Sequence, residues 1–165
     1  MLVAYAMEQG STGEIAETVA ETLRDAGLEV DLINAARVRS LEGYRSVVIG
    51  GTIAVGHLHP DAQQFLRRFR EDLASLQLAV FGVGSRTTEP SNLEACRRQL
   101  ATALERVPEA QPFAVTVFGG VLDPAELRSA FNPLPAVDAR DWFAILTWAV
   151  LVASRLEAVP AGVGF

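Results

Sequence analysis

Short apolar runs alternate with amphipathic stretches along the chain. The apolar runs resemble strands that are covered on both faces, because several of them are hydrophobic at consecutive positions. They lie at residues 2–6, 29–33, 46–50, 76–83 and 113–118. Hydrophobic residues recur at helical spacing in residues 12–26, 61–73, 92–104 and 140–157. The alternation predicts an α/β fold, a doubly wound parallel sheet of five strands in the order 2-1-3-4-5 with helices on both faces.

Composition and charge narrow the classes of function. With 165 residues and 50% hydrophobic content, the chain is predicted to form a single domain over residues 1–165 around one core. The formal net charge of −6 argues against a nucleic-acid partner, since phosphate backbones are bound by basic patches. An acidic surface suits docking onto a basic protein, although many proteins are simply acidic. All 14 basic residues are arginine, which excludes lysine-dependent chemistry.

The single cysteine, Cys96, excludes an internal disulfide and fits a reducing compartment. It lies in an amphipathic stretch, and we interpret it as a packed apolar residue rather than a nucleophile. The sequence shows no charged-then-apolar leader, and no apolar run reaches the roughly 18 residues of a membrane span. We therefore expect a soluble, cytoplasmic protein without a membrane span.

The turn after the first predicted strand is the strongest candidate for a binding site. It runs through Gln9, Gly10, Ser11 and Thr12 directly into a predicted helix. Backbone N–H groups at the start of a helix lack intrahelical partners and lie at the positive end of the helix dipole, which favours an anion. The turn matches neither the dinucleotide-binding nor the P-loop glycine pattern. It therefore indicates a site for one terminal phosphate, with hydroxyls from Ser11 and Thr12.

Two further glycine-rich loops follow the third and fourth predicted strands. In a doubly wound sheet, ligands bind beyond the carboxyl ends of the strands where the winding direction switches. We therefore expect residues 51–60 and 82–91 to join residues 7–13 at one pocket, where exposed backbone groups bind a planar ligand. The predicted ligand-binding residues of these two loops are Thr52, Ile53, Ala54, Gly56, Val83, Gly84 and Ser85.

The two histidines, His57 and His59, lie in the second of these loops. As metal ligands they would need partners that the sequence does not place, so no metal site is predicted. The alternative that we favour is structural: His59 caps the helix that follows Pro60, and His57 lines the rim of the pocket. A serine hydrolase is disfavoured because no G-x-S-x-G turn follows a strand. No catalytic residue is assigned; the candidates are His57, His59 and Glu8.

A family resemblance covers nearly the whole chain. The matching residues are Val3-Ala4-Tyr5, Gly10-Ser11-Thr12, Glu14-Ile15-Ala16, Val47-Val48-Ile49-Gly50, Ile53, Gly56-His57, His59-Pro60, Phe118-Gly119-Gly120, Leu122-Asp123-Pro124 and Asp141-Trp142. They resemble the flavodoxin-like proteins of the protoporphyrinogen-oxidase type. The resemblance implies a five-stranded flavodoxin-like fold and FMN as the cofactor. It also implies either electron transfer with a redox partner protein or oxidation of a porphyrinogen.

Several positions depart from that family. Where relatives carry phosphate-binding hydroxyls this chain has Ala6 and Met7, and Glu8 stands where a neutral or basic residue is usual. The positions near the aromatic residues that flank the flavin in relatives are Ala54, Val55 and Leu58. These losses predict FMN binding that is weaker than usual for the fold, or none. The segment between residues 120 and 141 is short and not basic, which disfavours a membrane-linked porphyrinogen oxidation.

Two hypotheses stay open. In the first, which we favour, the chain is an FMN-binding redox protein that exchanges electrons with a partner, and the flavin lies between residues 51–60 and 82–91. In the second, the fold is kept without flavin, as an interaction module or as an enzyme that uses the same loop pocket. The candidate residues of that second hypothesis are His57, His59, Glu8, Arg86 and Glu89. The sequence does not decide whether the protein is an enzyme, namely an FMN-dependent oxidoreductase.

Overall fold

The chain folds into a parallel sheet between two layers of helices. The computed structural model describes residues 1–7, 10–84, 90–122 and 137–157. The strands are β1 (Leu2–Ala6), β2 (Asp31–Asn34), β3 (Ser46–Ala54), β4 (His57–Leu58), β5 (Gln77–Gly84), β6 (Ala114–Gly119), β7 (Val121–Leu122) and β8 (Val137–Asp138). The helices are α1 (Ser11–Asp25), α2 (Pro60–Arg68), α3 (Arg70–Leu73), α4 (Pro90–Glu105) and α5 (Trp142–Glu157), and a 3₁₀ turn spans Ala35–Arg37.

The long strands are parallel and follow the order β2-β1-β3-β5-β6. Numbered by the five predicted strands alone, this is the order 2-1-3-4-5, so the predicted fold class is confirmed. The short strands were not predicted. β4 pairs antiparallel with β3, and β7 pairs antiparallel with β8 in a separate sheet. Two-residue strands are too short to produce a hydrophobic alternation that the sequence could reveal.

Each face of the sheet has its own hydrophobic core. Successive strand residues point to opposite faces. In β3, Val47 and Ile49 therefore pack with α2 and α4, whereas Val48 packs with α1 and α5. Because helices cover both faces, β3 and β5 are buried along most of their length. This arrangement explains why these two strands are hydrophobic at consecutive positions.

Several predicted boundaries are wrong by a few residues. β3 continues to Ala54 beyond the glycines at which the prediction ended it, because it lies between β1 and β5 and its end pairs with β4. The single helix predicted over residues 61–73 is two helices, α2 and α3, which meet at Phe69. α5 begins at Trp142 rather than at residue 140, since the Asp141 carboxylate accepts a hydrogen bond from the N–H of Ala144 and caps the helix.

α5 is hydrophobic on more than its packed face. Ile145 and Val152 are buried against the sheet and α1, whereas Phe143 is 80% exposed and Val150 is 57% exposed. Within the described parts of the chain, no helix combines the length and the hydropathy that crossing a bilayer requires.

Candidate functional site

The carboxyl ends of β1, β3 and β5 form one edge of the sheet. At this edge, Thr52 of β3 is paired with Val83 of β5, and Ile53 is paired with Gly84. Ala6, the last residue of β1, is paired with Gly51. Four of the residues that the sequence predicted for the second and third loops, Thr52, Ile53, Val83 and Gly84, are therefore cross-strand neighbours, and β1 ends beside them.

α1 begins at this edge with an uncapped first turn. Gly10 occupies the N-cap position with a φ of 112°, a conformation that L side chains rarely adopt, and no side chain of the described residues caps the helix. The first backbone N–H groups of a helix have no intrahelical acceptors and carry the positive end of its dipole. The start of α1 therefore has the donors and the field that stabilise an anion.

A pair of threonines joins the start of α1 to the end of β3. The hydroxyl oxygens of Thr12 and Thr52 are 2.7 Å apart, so one hydroxyl donates a hydrogen bond to the other. Thr12 is only 2% exposed. Because each hydroxyl has one proton and two acceptor positions, this contact leaves one O–H of the pair able to donate to another group. The sequence predicted a ligand role for both residues but not their contact with each other.

Ser11 is held by the backbone on the other side of the helix start. Its hydroxyl oxygen accepts a hydrogen bond from the N–H of Val121 at 3.1 Å. The N–H of Gly120 donates to the carbonyl of Gly84 at 2.8 Å. A Cβ at residue 120 would lie 2.9 Å from the Ser11 hydroxyl oxygen, so the glycine permits this close approach. The Ser11 oxygen is an acceptor in this contact, and its proton stays available for a further partner.

The remaining predicted residues differ in which of their atoms are accessible to a ligand. The side chains of Ile53 and Val83 are buried in the two cores, so only their backbone groups face the edge. Ala54 and Gly56 belong to a β3–β4 hairpin whose two-residue loop is Val55-Gly56. Both loop residues have positive φ, 49° and 83°, as type I′ hairpin turns require. Val55 is 97% exposed, and a β-branched residue is strained in this conformation.

His59 has the capping role that the sequence predicted. Its Nδ1 accepts a hydrogen bond from the N–H of Asp61 at 3.2 Å at the start of α2. His57 is exposed and lines a cleft beside α4. Among the described residues, no group of three or more His, Cys, Asp or Glu side chains is placed to hold a metal ion.

Cys96 lies on α4 and packs against the core that α2 and α4 share. Burial raises the pKa of its thiol, which keeps the sulfur protonated and poorly nucleophilic. The interpretation of Cys96 as a packed residue therefore agrees with its surroundings.

Five predicted candidates lie outside the described residues: Glu8, Gln9, Ser85, Arg86 and Glu89. Their roles stay predictions from the sequence.

An arginine that the sequence analysis did not select connects α1 to the segment before α5. Arg140 donates hydrogen bonds to both carboxylate oxygens of Asp138, at 2.9 and 2.7 Å, and also pairs with Glu14 in the first turn of α1. These hydrogen bonds lower the pKa of Asp138 to about 2 and raise the pKa of Arg140. The guanidinium also lies 4.8 Å from the centre of the Trp142 ring. Nothing local in the sequence links Glu14 to residues so distant along the chain.

Comparisons with known proteins agree with this fold. Residues 2–130 match the flavodoxin domain family. The protoporphyrinogen IX dehydrogenase (quinone) of Escherichia coli is 28% identical over 123 residues, which cover 73% of this chain and 68% of that protein.

Several solved structures superpose over nearly the whole chain, among them the following two. The rubredoxin oxygen:oxidoreductase of Desulfovibrio gigas superposes with a TM-score of 0.61 at 19% identity. The superposition covers 95% of this chain but only 35% of that protein. A flavodoxin from Streptococcus pneumonia superposes with a TM-score of 0.57 at 22% identity, over 95% of this chain and 97% of that protein. At these identities the solved structures show the fold alone.

Proposed function

Because the chain belongs to the flavodoxin domain family, we propose that it binds FMN at the carboxyl edge of its sheet and acts as an electron-transfer protein. The family and the fold support FMN binding and electron transfer in general terms. The observation that carries the proposal for this chain is the 2.7 Å contact between the Thr12 and Thr52 hydroxyls, which fixes the uncapped start of α1 against the end of β3.

The first turn of α1 fits the FMN phosphate. The N–H groups of Ser11, Thr12 and Gly13 lie at the N-terminus of α1, where the helix dipole favours a negative charge. Ser11 and the Thr12–Thr52 pair retain hydroxyl protons that are able to donate to phosphate oxygens. The glycine at position 120 keeps the space beside Ser11 free of a Cβ.

The flavin ring would be held mainly by backbone groups. The ends of β3 and β5, from Thr52 and Val83 onward, and the hairpin at Ala54 and Gly56 offer polar backbone atoms to a ring edge. None of these residues offers an aromatic face, and stacking contributes about 0.5–1.5 kcal/mol beyond area burial. We therefore expect weak binding, with flavin lost on dialysis. Bound FMN supplies one- and two-electron redox chemistry, and the protein sets its position and solvent access.

A binding titration tests the proposal. FMN and riboflavin differ only in the phosphate, so FMN should bind more tightly, with a Kd in about the micromolar range. Thr12→Val should weaken FMN binding about tenfold to hundredfold, because a hydrogen bond to a charged group contributes about 1.5–3 kcal/mol. The same change should leave riboflavin binding nearly unaltered. Flavin fluorescence measures both affinities.

Thr18→Val is the matched control. Thr18 lies further along α1, where its hydroxyl donates to the carbonyl of Glu14, so its removal should not alter FMN affinity. Equal affinity for FMN and riboflavin, or an unchanged FMN affinity in Thr12→Val, would show that the phosphate does not bind at the start of α1. A chain that binds neither flavin would support the flavin-free hypothesis.

Porphyrinogen oxidation is the second candidate function. It is favoured by the 28% identity to the Escherichia coli protoporphyrinogen IX dehydrogenase (quinone) over 73% of this chain. Incubation of the FMN-saturated chain with protoporphyrinogen and a soluble quinone tests it through porphyrin fluorescence. A rate no higher than that of free FMN would exclude this activity.

A further inference from the structure

A cleft of about 240 Å³ lies between α4 and the β3–β4 hairpin, apart from the start of α1. His57 and Gly56 of the hairpin line one side, and the other side is lined by Arg98 and Gln99 of α4 and by Arg106, which directly follows the helix. This volume exceeds that of a single water molecule and lies just below the range of about 300–1,000 Å³ that is usual for small-molecule pockets.

The cleft is basic although the protein is acidic. Arg98 and Arg106 line it and are exposed, and neither forms an ion pair with any of the described residues. By contrast, the neighbouring Arg97 pairs with Glu94 at 3.5 Å. No Asp or Glu is among the described residues that line the cleft, whereas the whole chain carries a net charge of −6. Two positive charges in a lining without a carboxylate create a local field that attracts an anion.

Arg98 lies on α4, and Arg106 follows directly after its last residue, Glu105. Arg98, Thr102 and Arg106 recur every four residues and all line the cleft. Because α4 rises about 1.5 Å per residue from Arg98 to its end directly before Arg106, the Cα atoms of the two arginines are separated by on the order of 12 Å. A guanidinium binds one carboxylate through two parallel hydrogen bonds, and this geometry suits one carboxylate at each arginine.

Two glutamines, Gln63 and Gln99, also line the cleft. The side chain of Gln99 reaches the hairpin, where its Nε2 would lie 3.7 Å from a Cβ at residue 56. The Gln63 amide donates to the carbonyl of Leu58 at 2.6 Å, which fixes the side of the cleft next to α2. These groups add hydrogen-bonding side chains to the lining that contains the two arginines.

We propose that this cleft binds a small organic dianion that carries two carboxylates, one at each arginine. An inorganic anion or a monocarboxylate reaches one guanidinium, and a dicarboxylate of sufficient length reaches both. The test uses the chain without flavin, and Gln99 and Thr102 report on the cleft alone, because Gly56 also belongs to the hairpin proposed for the flavin ring.

Titrations of the ¹⁵N-labelled chain with pimelate, malonate, acetate and inorganic phosphate test the proposal. Pimelate, the long dicarboxylate, should shift the amide signals of Gly56, Gln99 and Thr102 saturably. Its affinity should exceed that of each of the other three probes by about tenfold, the ratio that one additional charge-assisted hydrogen bond provides. Arg98→Gln and Arg106→Gln should each lower pimelate affinity by about the same factor.

Arg97→Gln is the control, because Arg97 lies on the same helix and does not line the cleft. It should leave the pimelate affinity unchanged. Acetate, malonate or phosphate binding as tightly as pimelate would overturn the assignment to a dicarboxylate. Signals that do not saturate, or an equal loss of affinity in all three arginine variants, would overturn the site itself.

Discussion

Gly50 of β3 faces the ring of Phe81 on β5 so closely that a Cβ at residue 50 would lie 2.0 Å from its Cζ. Phe81 is fully buried, and its ring makes an edge contact with Trp148 of α5 at a centroid distance of 5.8 Å. The glycine therefore lets a large ring fill the core beneath α5. This packing keeps β3 and β5 in place as they approach the candidate site.

Gly50→Ala should destabilise the fold by overpacking, at a cost of about 1–3 kcal/mol. Urea unfolding followed by tryptophan fluorescence measures the change in the free energy of unfolding, and Trp148 is a probe beside the ring. Phe81→Leu provides the control background, since it removes the ring that the new methyl group meets. If Gly50→Ala costs as much with Leu at residue 81 as with Phe, the clash is not the cause.

Val55→Asn should stabilise the hairpin by about 1 kcal/mol, because Asn-Gly suits the type I′ turn that a β-branched residue occupies under strain. The valine side chain is almost fully exposed, so the change loses no buried surface. Thermal unfolding provides the measurement. Val115→Asn is the control: Val115 is an exposed valine in the extended strand β6, where the same substitution should bring no gain. Stabilisation at residue 115 but not at residue 55 would contradict the account of the turn.

Asp138 should titrate near pH 2, where Arg140 holds its pKa below the ordinary value of 3.8. A depressed folded-state pKa adds stability that is present above the unfolded pKa and is lost as the pH falls from about 4 to about 2. NMR titration of the carboxyl carbon measures this pKa. Arg140→Gln should return the pKa of Asp138 toward its ordinary value. The variant should then lack the loss of folding stability that the wild-type chain shows as Asp138 is protonated. An Asp138 that titrates normally in the wild-type chain would show that the ion pair does not form.

Glu8→Thr should tighten FMN binding, because it removes a carboxylate from the sequence just before the proposed phosphate site. The gain should be largest at low ionic strength, where charge repulsion is least screened. Flavin fluorescence titrations at low and high salt measure it. Glu17→Thr makes the same change on the exposed face of α1 and should have a smaller effect. No tightening at any salt concentration would show that Glu8 does not oppose the phosphate.

The strands and helices of this fold could be predicted because hydrophobic spacing is a local signal. The consecutive hydrophobic residues of β3 and β5 follow from burial on both faces. The strand order was predicted from the alternation of strands and helices and from their short connections. The end of β3 could not be predicted in this way. It depends on pairing with β1, β4 and β5, and these are contacts between residues distant in sequence.

In the candidate site, too, local features could be predicted from the sequence and contacts between distant residues could not. Glycine and hydroxyl residues before an amphipathic stretch were enough to predict the uncapped start of α1. The partners of those hydroxyls were not predictable, since Thr12 meets Thr52 and Ser11 meets Val121 only through the packing of the sheet. The Arg140 contacts and the basic cleft likewise require helices to be placed in three dimensions.

The most direct test of the central claim is an amide chemical-shift titration of the ¹⁵N-labelled chain with FMN. FMN binding at the carboxyl edge should shift the signals of Ser11, Thr12 and Gly13 at the start of α1 together with that of Gly84, and all should saturate with one affinity. Shifts confined to Gln99 and Thr102 would place the FMN phosphate in the basic cleft of α4 instead. That outcome, or the absence of any saturable shift, would contradict the assignment of FMN to the edge of the sheet.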